Sequence, residues 1–149
     1  MVGAVSASDS LAVQLFSELL VADQLARSRL QKALPKGMEL SQFAVLNHLA
    51  RQEERTPGQL AQAFNVTRGA MTNTLARLEA AGWVHVRPDW DDARRKMVAI
   101  SPAGRREWET ALGAIAPLIG GVVDEIGPDR VRQALPVLRA LRVKLAPGG

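Results

Sequence analysis

Two stretches of the chain carry side chains whose types and spacing suit hydrogen bonding to a nucleic acid. The first runs from Thr67 to Leu78. At 3.6 residues per turn, Met71, Leu75 and Leu78 fall on one apolar stripe. Arg68, Thr72, Asn73 and Arg77 stand on the other side. Arg matches guanine O6 and N7, Asn matches adenine N6 and N7, and Thr reaches thymine methyls or phosphates. Gly69 removes a side chain where a DNA backbone would come close, and a helix N-terminus favours phosphate. Polar residues opposite an apolar stripe also describe an ordinary solvated helix face.

The second stretch is the loop Pro88 to Lys96, with Asp89, Asp91 and Asp92 followed by Arg94, Arg95 and Lys96. An Arg at a loop tip is drawn to a narrow minor groove, where negative potential is concentrated. Carboxylates there repel phosphate unless they orient the Arg. Asp92, two residues before Arg94, can do so through a charge-assisted hydrogen bond. The plainer reading is a solvated turn of mixed charge.

Other chemistries lack their residues. Cysteine is absent, which excludes a disulfide framework, a thiolate nucleophile, a Cys-type zinc site and a cysteine-based peroxide sensor. His48 and His85 fall on different elements without metal-ligand spacing, so no metal is expected. No Ser-His-Asp arrangement, Gly-rich phosphate loop or paired carboxylates appear, so neither an enzyme nor a cofactor is expected.

The elements that must position these residues follow from periodicity and punctuation. Leu11, Leu15, Leu19, Ala22 and Leu25 predict a first helix over about 9–32, roughly 36 Å long at 1.5 Å per residue. Pro35-Lys36-Gly37 breaks it. Ser41 is the expected cap of a second helix carrying Phe43, Val45, Leu46 and Leu49. Thr56-Pro57-Gly58-Gln59 reads as a capping box with Pro at the first helical position. Thr67 caps the fourth helix, and Gly82 ends it. Alternation predicts strands at 83–87 and 97–100. Ser101-Pro102 starts a fifth helix, Gly127 ends it, and Pro128-Asp129 opens a sixth. Pro117 and Pro136 are expected to kink these last two.

The fold class is therefore mainly α with a small β-hairpin, containing a helix-turn-helix. At 149 residues it is a single domain. A DNA-binding lobe is expected over about 41–101 and dimerisation helices over about 9–33 and 102–145. The long amphipathic terminal helices favour a homodimer over self-coverage.

Composition agrees. The hydrophobic share is 47% and the charged share 23%, as in ordinary globular proteins. The net charge of +4 lies wholly in the second half: residues 67–149 hold thirteen Lys and Arg against nine acids, while residues 1–66 hold six of each. Such a distribution is compatible with a polyanionic partner. No stretch matches a membrane span, and the N-terminal residues do not read as a signal peptide. A cytoplasmic location, bacterial or archaeal and on the nucleoid when DNA-bound, is the expectation.

The run Gly82-Trp83-Val84, Arg87-Pro88-Asp89, Asp92-Ala93-Arg94, Val98, Ile100-Ser101 and Gly104, preceded by Leu78-Glu79-Ala80-Ala81, resembles the winged-helix signature of the MarR family. These are the multiple-antibiotic-resistance-type regulators. The resemblance implies a homodimeric winged helix-turn-helix repressor on a near-palindromic double-stranded DNA operator, released by a small aromatic or phenolic ligand. It makes Asp92 and Arg94 the wing-tip pair. Thr67, Arg68, Thr72, Asn73 and Arg77 take recognition-helix positions, and Arg87 a commonly basic one. With Gly69, Arg95 and Lys96 these form the expected DNA-contacting set. Trp83, Trp90 and Ala93 depart from the family pattern. Trp90 has three readings: a contact to DNA sugars, packing on the hairpin, or plain exposure.

Leu19, Phe43, His48, Arg51 and Trp108 form the expected ligand pocket, since apolar walls with one or two cations suit an aromatic carboxylate. For His48 the plainer reading is a half-buried histidine satisfied by backbone. A function of a different class, a winged-helix module for protein contacts, would show weak binding indifferent to DNA sequence.

Overall fold

A computed structural model describes residues 4–147. The order is α1 (Ala7–Ala33), α2 (Leu40–Arg51), α3 (Pro57–Ala63), α4 (Arg68–Ala80), β1 (Val84–Pro88), β2 (Lys96–Ile100), α5 (Pro102–Ile126) and α6 (Pro128–Leu145). The predicted element order holds throughout.

Caps set the helix starts. Thr56 Oγ1 accepts the Gln59 N–H at 3.0 Å, while Gln59 Oε1 accepts the Thr56 N–H at 2.9 Å. Thr67 Oγ1 accepts from Ala70 N at 3.0 Å, and Ser101 Oγ from Gly104 N at 2.9 Å. One cap differs from expectation. Helix α2 begins after Glu39, not Ser41, because Gln42 reaches back to accept the Glu39 N–H at 2.8 Å. Gln31 of α1 fixes this junction from the other side. It donates to the Met38 carbonyl at 3.1 Å and accepts from Leu40 N at 2.8 Å.

β1 and β2 pair antiparallel, with Val84 opposite Ile100 and Pro88 opposite Lys96. Arg55 adds a bridge to Val98 on the far edge of β2. The hairpin is anchored where α5 starts. Ser101 N donates to the Trp83 carbonyl at 2.9 Å, and its hydroxyl donates to the Gly82 carbonyl at 2.6 Å. A Cβ on Gly104 would lie 1.9 Å from the Trp83 carbonyl oxygen, so only glycine fits. Helices α5 and α6 continue through Pro117 and Pro136. The sharp turn falls at Gly127 (φ 111°), where their axes turn by 102°.

The core lies between α2, α3, α4, the hairpin and the first half of α5. Leu46, Leu49, Leu60, Leu78 and Val98 are fully buried, and Met38 and Phe43 are buried with them. Helices α1 and α6 bury no residue, and of the two only Leu30 and Ala33 of α1 pack against the core. Leu11, Leu20 and Leu25 of α1, Ile126 of α5, and Val137 and Leu145 of α6 stand exposed in the single chain. No single helix among the described residues is long and apolar enough to cross a membrane.

Candidate nucleic-acid interface

Helix α4 buries Met71, Leu75 and Leu78 and turns Arg68, Gly69, Thr72, Asn73 and Arg77 outward. Its outer side and the hairpin wall a groove of about 640 Å³. Arg68, Thr72 and Glu79 come from α4, and Arg94, Arg95 and Lys96 from the hairpin. Thr56 and Gly58 close it at the start of α3. These α3 residues were legible only as a cap, not as a wall. The Arg68 guanidinium reaches over Gly58, where an added Cβ would meet Arg68 Nη1 at 3.0 Å. Arg68 and Lys96 have no acidic partner among the described residues, so both are free for phosphate or base edges. Thr67 spends one lone pair on its cap and keeps its hydroxyl proton for an acceptor outside. Asn73 and Gly69 are exposed on α4 outside the groove walls.

The loop between the strands is a wing with internal order. Asp89 N donates to the Arg95 carbonyl and Arg95 N to the Asp92 carbonyl, both at 2.9 Å. Asp92 Oδ1 accepts the Arg94 backbone N–H at 3.0 Å and the Arg94 Nε–H at 3.2 Å. The expected orienting bond is therefore present. The Arg94 side-chain bond, joined by the backbone one, holds the Asp92 carboxyl below the usual carboxylate range. Arg94 itself is 91% exposed. Arg95 lies 3.5 Å from Asp89.

Two arginines of the expected set have other occupations. Arg77 Nη1 donates to both carboxylate oxygens of Glu39, at 2.9 and 3.0 Å. It ties α4 to the start of α2. Arg87 is ion-paired with Glu54 through Nε and Nη2 and donates from Nη1 to the Pro88 carbonyl at 2.8 Å. Its guanidinium also lies 4.7 Å from the Trp90 ring centre. With its donors engaged, Arg87 braces the wing instead of offering a free cation. Both partners sit more than thirty residues away in sequence, so no local spacing announced them.

A second concavity, of about 460 Å³, lies between α1 and α2. Phe43, His48 and Arg51 line it as expected, together with Asp23, Arg27, Leu30, Asn47 and Phe64. Leu19 and Trp108 do not. Leu19 lies a turn before the stretch of α1 that faces α2. Trp108 packs on the core and donates its indole N–H to Asn47 Oδ1 at 3.0 Å, which places it behind the wall. Arg27 and Asp23 pair at 3.1 Å, a signal readable as an i, i+4 pair on α1. His48 stacks edge-on against Phe64 at 5.5 Å. Burial, and then the Arg55 charge, lower its pKa from the ordinary 6.5.

Comparison with known proteins agrees with this geometry. The MarR family profile matches residues 36–95. The transcriptional activatory protein BadR of Rhodopseudomonas palustris is 31% identical over 140 residues, covering 91% of this chain and 80% of that protein. A mutant MarR of E. coli, solved in complex with operator DNA, superposes with a TM-score of 0.77 at 24% identity, covering 91% of this chain and 99% of that one. BpsR of Bordetella bronchiseptica, whose structure concerns regulation of DNA binding by 6-hydroxynicotinic acid, has a TM-score of 0.75 at 22% identity, covering 86% of this chain and 98% of that one. The two structures establish the fold, and the relative in sequence carries the likeness over nearly the whole chain.

Proposed function

The chain belongs to the MarR family of DNA-binding transcriptional regulators, and from that premise we propose that it acts as a homodimer on a near-palindromic operator. The observation that carries this reading is the groove where Arg68 and Thr72 of α4 meet Arg94, Arg95 and Lys96 of the wing. The recognition helix reads base edges in the major groove while Arg94, aligned by Asp92, enters the adjacent minor groove. Thr67, Gly69, Asn73 and Arg95 complete the contact set. Arg77 joins it only by leaving Glu39. Residues 41–101 form the DNA-binding lobe, and 9–33 with 102–145 the dimerisation helices. The apolar residues that α1 and α6 leave exposed supply the second copy's seat. A dimer sets two wings and two recognition helices on one face of the duplex, which asks for a two-fold operator.

The cleft between α1 and α2 is the seat of an effector, an aromatic acid. Its apolar walls are Phe43, Leu30 and Phe64, and Arg51, a cation with no acidic partner among the described residues, takes a carboxylate. A ligand there touches both a dimerisation helix and the lobe. It releases DNA by favouring an arrangement that the operator disfavours. BpsR, with its 6-hydroxynicotinic acid, supports that ligand class.

Repression follows where the operator overlaps a promoter. A second reading, activation, is favoured by one observation: the relative BadR is named as an activator. The position of the operator relative to the promoter decides between them.

The test is fluorescence anisotropy on the intergenic DNA beside the gene, with a scrambled duplex as control. A preference of ~10³-fold or more, weakening as salt rises, is expected. Equal weak binding to both duplexes would instead support a protein-contact module. Adding aromatic acids to the same mixture tests release.

A further inference from the structure

We propose that Trp90 is a DNA-contacting residue, one that stacks against the sugar–phosphate backbone beside the wing tip on a platform built by Arg87 and Glu54. The proposal rests on the DNA-binding reading above and adds a contact that the wing-tip pair does not supply.

Trp90 is 82% exposed, the most exposed large apolar side chain among the described residues. A ring left this free contributes almost nothing to the fold. Its position is nonetheless controlled. Arg87 lies against the ring at 4.7 Å, and Arg87 is itself held by Glu54 and by the Pro88 carbonyl. The indole is thus backed by a fixed cation and presents its other side outward. Its N–H has no acceptor among the described residues, whereas Trp108 has Asn47. A cation behind the ring polarises that N–H toward an anionic acceptor, which a phosphate oxygen supplies.

Placement selects the partner. The bond from Asp89 N to the Arg95 carbonyl closes the hairpin, so Trp90 and Arg94 are the first residues beyond it on either side. If Arg94 enters the minor groove, Trp90 meets the strand bordering it. A protein-docking patch would group several apolar side chains. Here the large exposed apolar residues nearest in sequence are Val66 and Ile119, and the loop around Trp90 is charged. A ring backed by Arg87, in a loop where Arg94 and Arg95 hold the carboxylates of Asp92 and Asp89, suits a sugar–phosphate surface.

The experiment compares wild type, Trp90→Ala, Trp90→Phe and Arg94→Ala on labelled intergenic and scrambled duplexes across a salt series. Trp90→Ala is expected to weaken binding to both duplexes about tenfold, because a backbone contact reads no bases. Its slope of log affinity against log salt should match wild type, since no charge is lost, whereas Arg94→Ala should flatten that slope by about one. Trp90→Phe should restore most of the affinity. Tryptophan emission should change when wild type meets DNA, and this change should vanish in Trp90→Phe, which keeps Trp83 and Trp108. An unchanged melting temperature in Trp90→Ala excludes a merely structural role. Wild-type affinity in Trp90→Ala overturns the proposal. So does a loss confined to the intergenic duplex, which would make Trp90 a base reader, or a loss of self-association, which would make it a protein contact. Wild type that binds both duplexes equally defeats the operator reading while the Trp90 comparison still stands. Wild type that binds neither defeats both.

Discussion

The lobe built from α2, α3, α4 and the hairpin, and the terminal helices α1 and α6, solve the problem of apolar surface in opposite ways. The lobe folds its apolar residues onto themselves: Leu46, Leu49, Leu60, Leu78 and Val98 are fully buried. Helices α1 and α6 bury nothing, yet turn eleven large apolar side chains outward. A helix of 27 residues with Leu11, Leu20 and Leu25 in water is not the finished state of that surface. One region is thus specified by the chain alone, and the proposed dimer has the other specified by chain plus copy. The proposed DNA-reading residues sit on the self-sufficient part, and the cleft proposed for an effector lies where the two parts meet.

The joint between them offers the largest test. Gly104 begins α5 directly against the Trp83 carbonyl, and a methyl there would sit 1.9 Å from the oxygen. Gly104→Ala is expected to cost ~3 kcal/mol or more, since the contact is backbone and cannot swing away. Chemical denaturation measures it. A variant as stable as wild type would mean that α5 and the hairpin move apart freely, and the contrast between a fixed lobe and adaptable helices would blur.

Next in size is the separation of the two regions. Leu25→Glu on α1 and Val137→Glu on α6 place charges on surfaces exposed in the single chain. Sedimentation should show the mass halved, while circular dichroism retains the lobe's helix signal. Melting of the wild type should rise with protein concentration, and melting of the variants should not. Unfolding of the whole chain on either substitution would show that the lobe, too, depends on the second copy.

Separation along the chain sets how far the sequence could be read. For the lobe's elements, caps and apolar stripes, local signals sufficed. Thr56, Thr67 and Ser101 each cap the helix they precede, and the Met71-Leu75-Leu78 stripe is buried as its spacing requires. Asp92 sits two residues from Arg94, within reach of any tight loop. What stayed hidden needed distance. The pairing of Arg77 with Glu39 and of Arg87 with Glu54 spans 38 and 33 residues, so a free DNA-facing arginine and a structural one look alike in sequence. Apolar type alone puts Leu19 and Trp108 in the cleft, where neither lies. Only the rotation of α1 against α2 decides that Asp23 and Arg27 line it instead. Glu39 in place of Ser41 as the α2 cap is a smaller miss of the same kind, set by Gln42 and by Gln31 from α1.

A smaller effect probes the tie inside the lobe. Glu39→Gln frees Arg77 from its carboxylate. The pair is more than half exposed, so stability should fall by only ~0.2–1 kcal/mol. DNA affinity should rise a few-fold at low salt, because Arg77 becomes available and a negative charge leaves the interface. Anisotropy at two salt concentrations reads both. No gain would show that Arg77 stays on the protein even when released, and would remove it from the contact set.

The smallest effect separates lobe from cleft by pH. Burial, with Arg55 nearby, lowers the His48 pKa below 6.5, so the folded chain prefers the neutral ring. As pH falls below about 6.5, the unfolded chain takes up a proton first, and stability declines until the folded-state pKa is passed. An aromatic carboxylate in the cleft reverses the preference locally. Its charge favours the imidazolium, so effector binding takes up a proton and strengthens as pH falls through that window, while the acid itself stays ionised. Duplex release by an aromatic acid should therefore need less ligand at lower pH even as the protein melts earlier. His48→Gln should flatten the pH dependence of release without abolishing it, because Arg51 still holds the carboxylate. Release that is equally pH-dependent in His48→Gln would place the proton elsewhere and leave His48 as a wall of the cleft, stacked on Phe64.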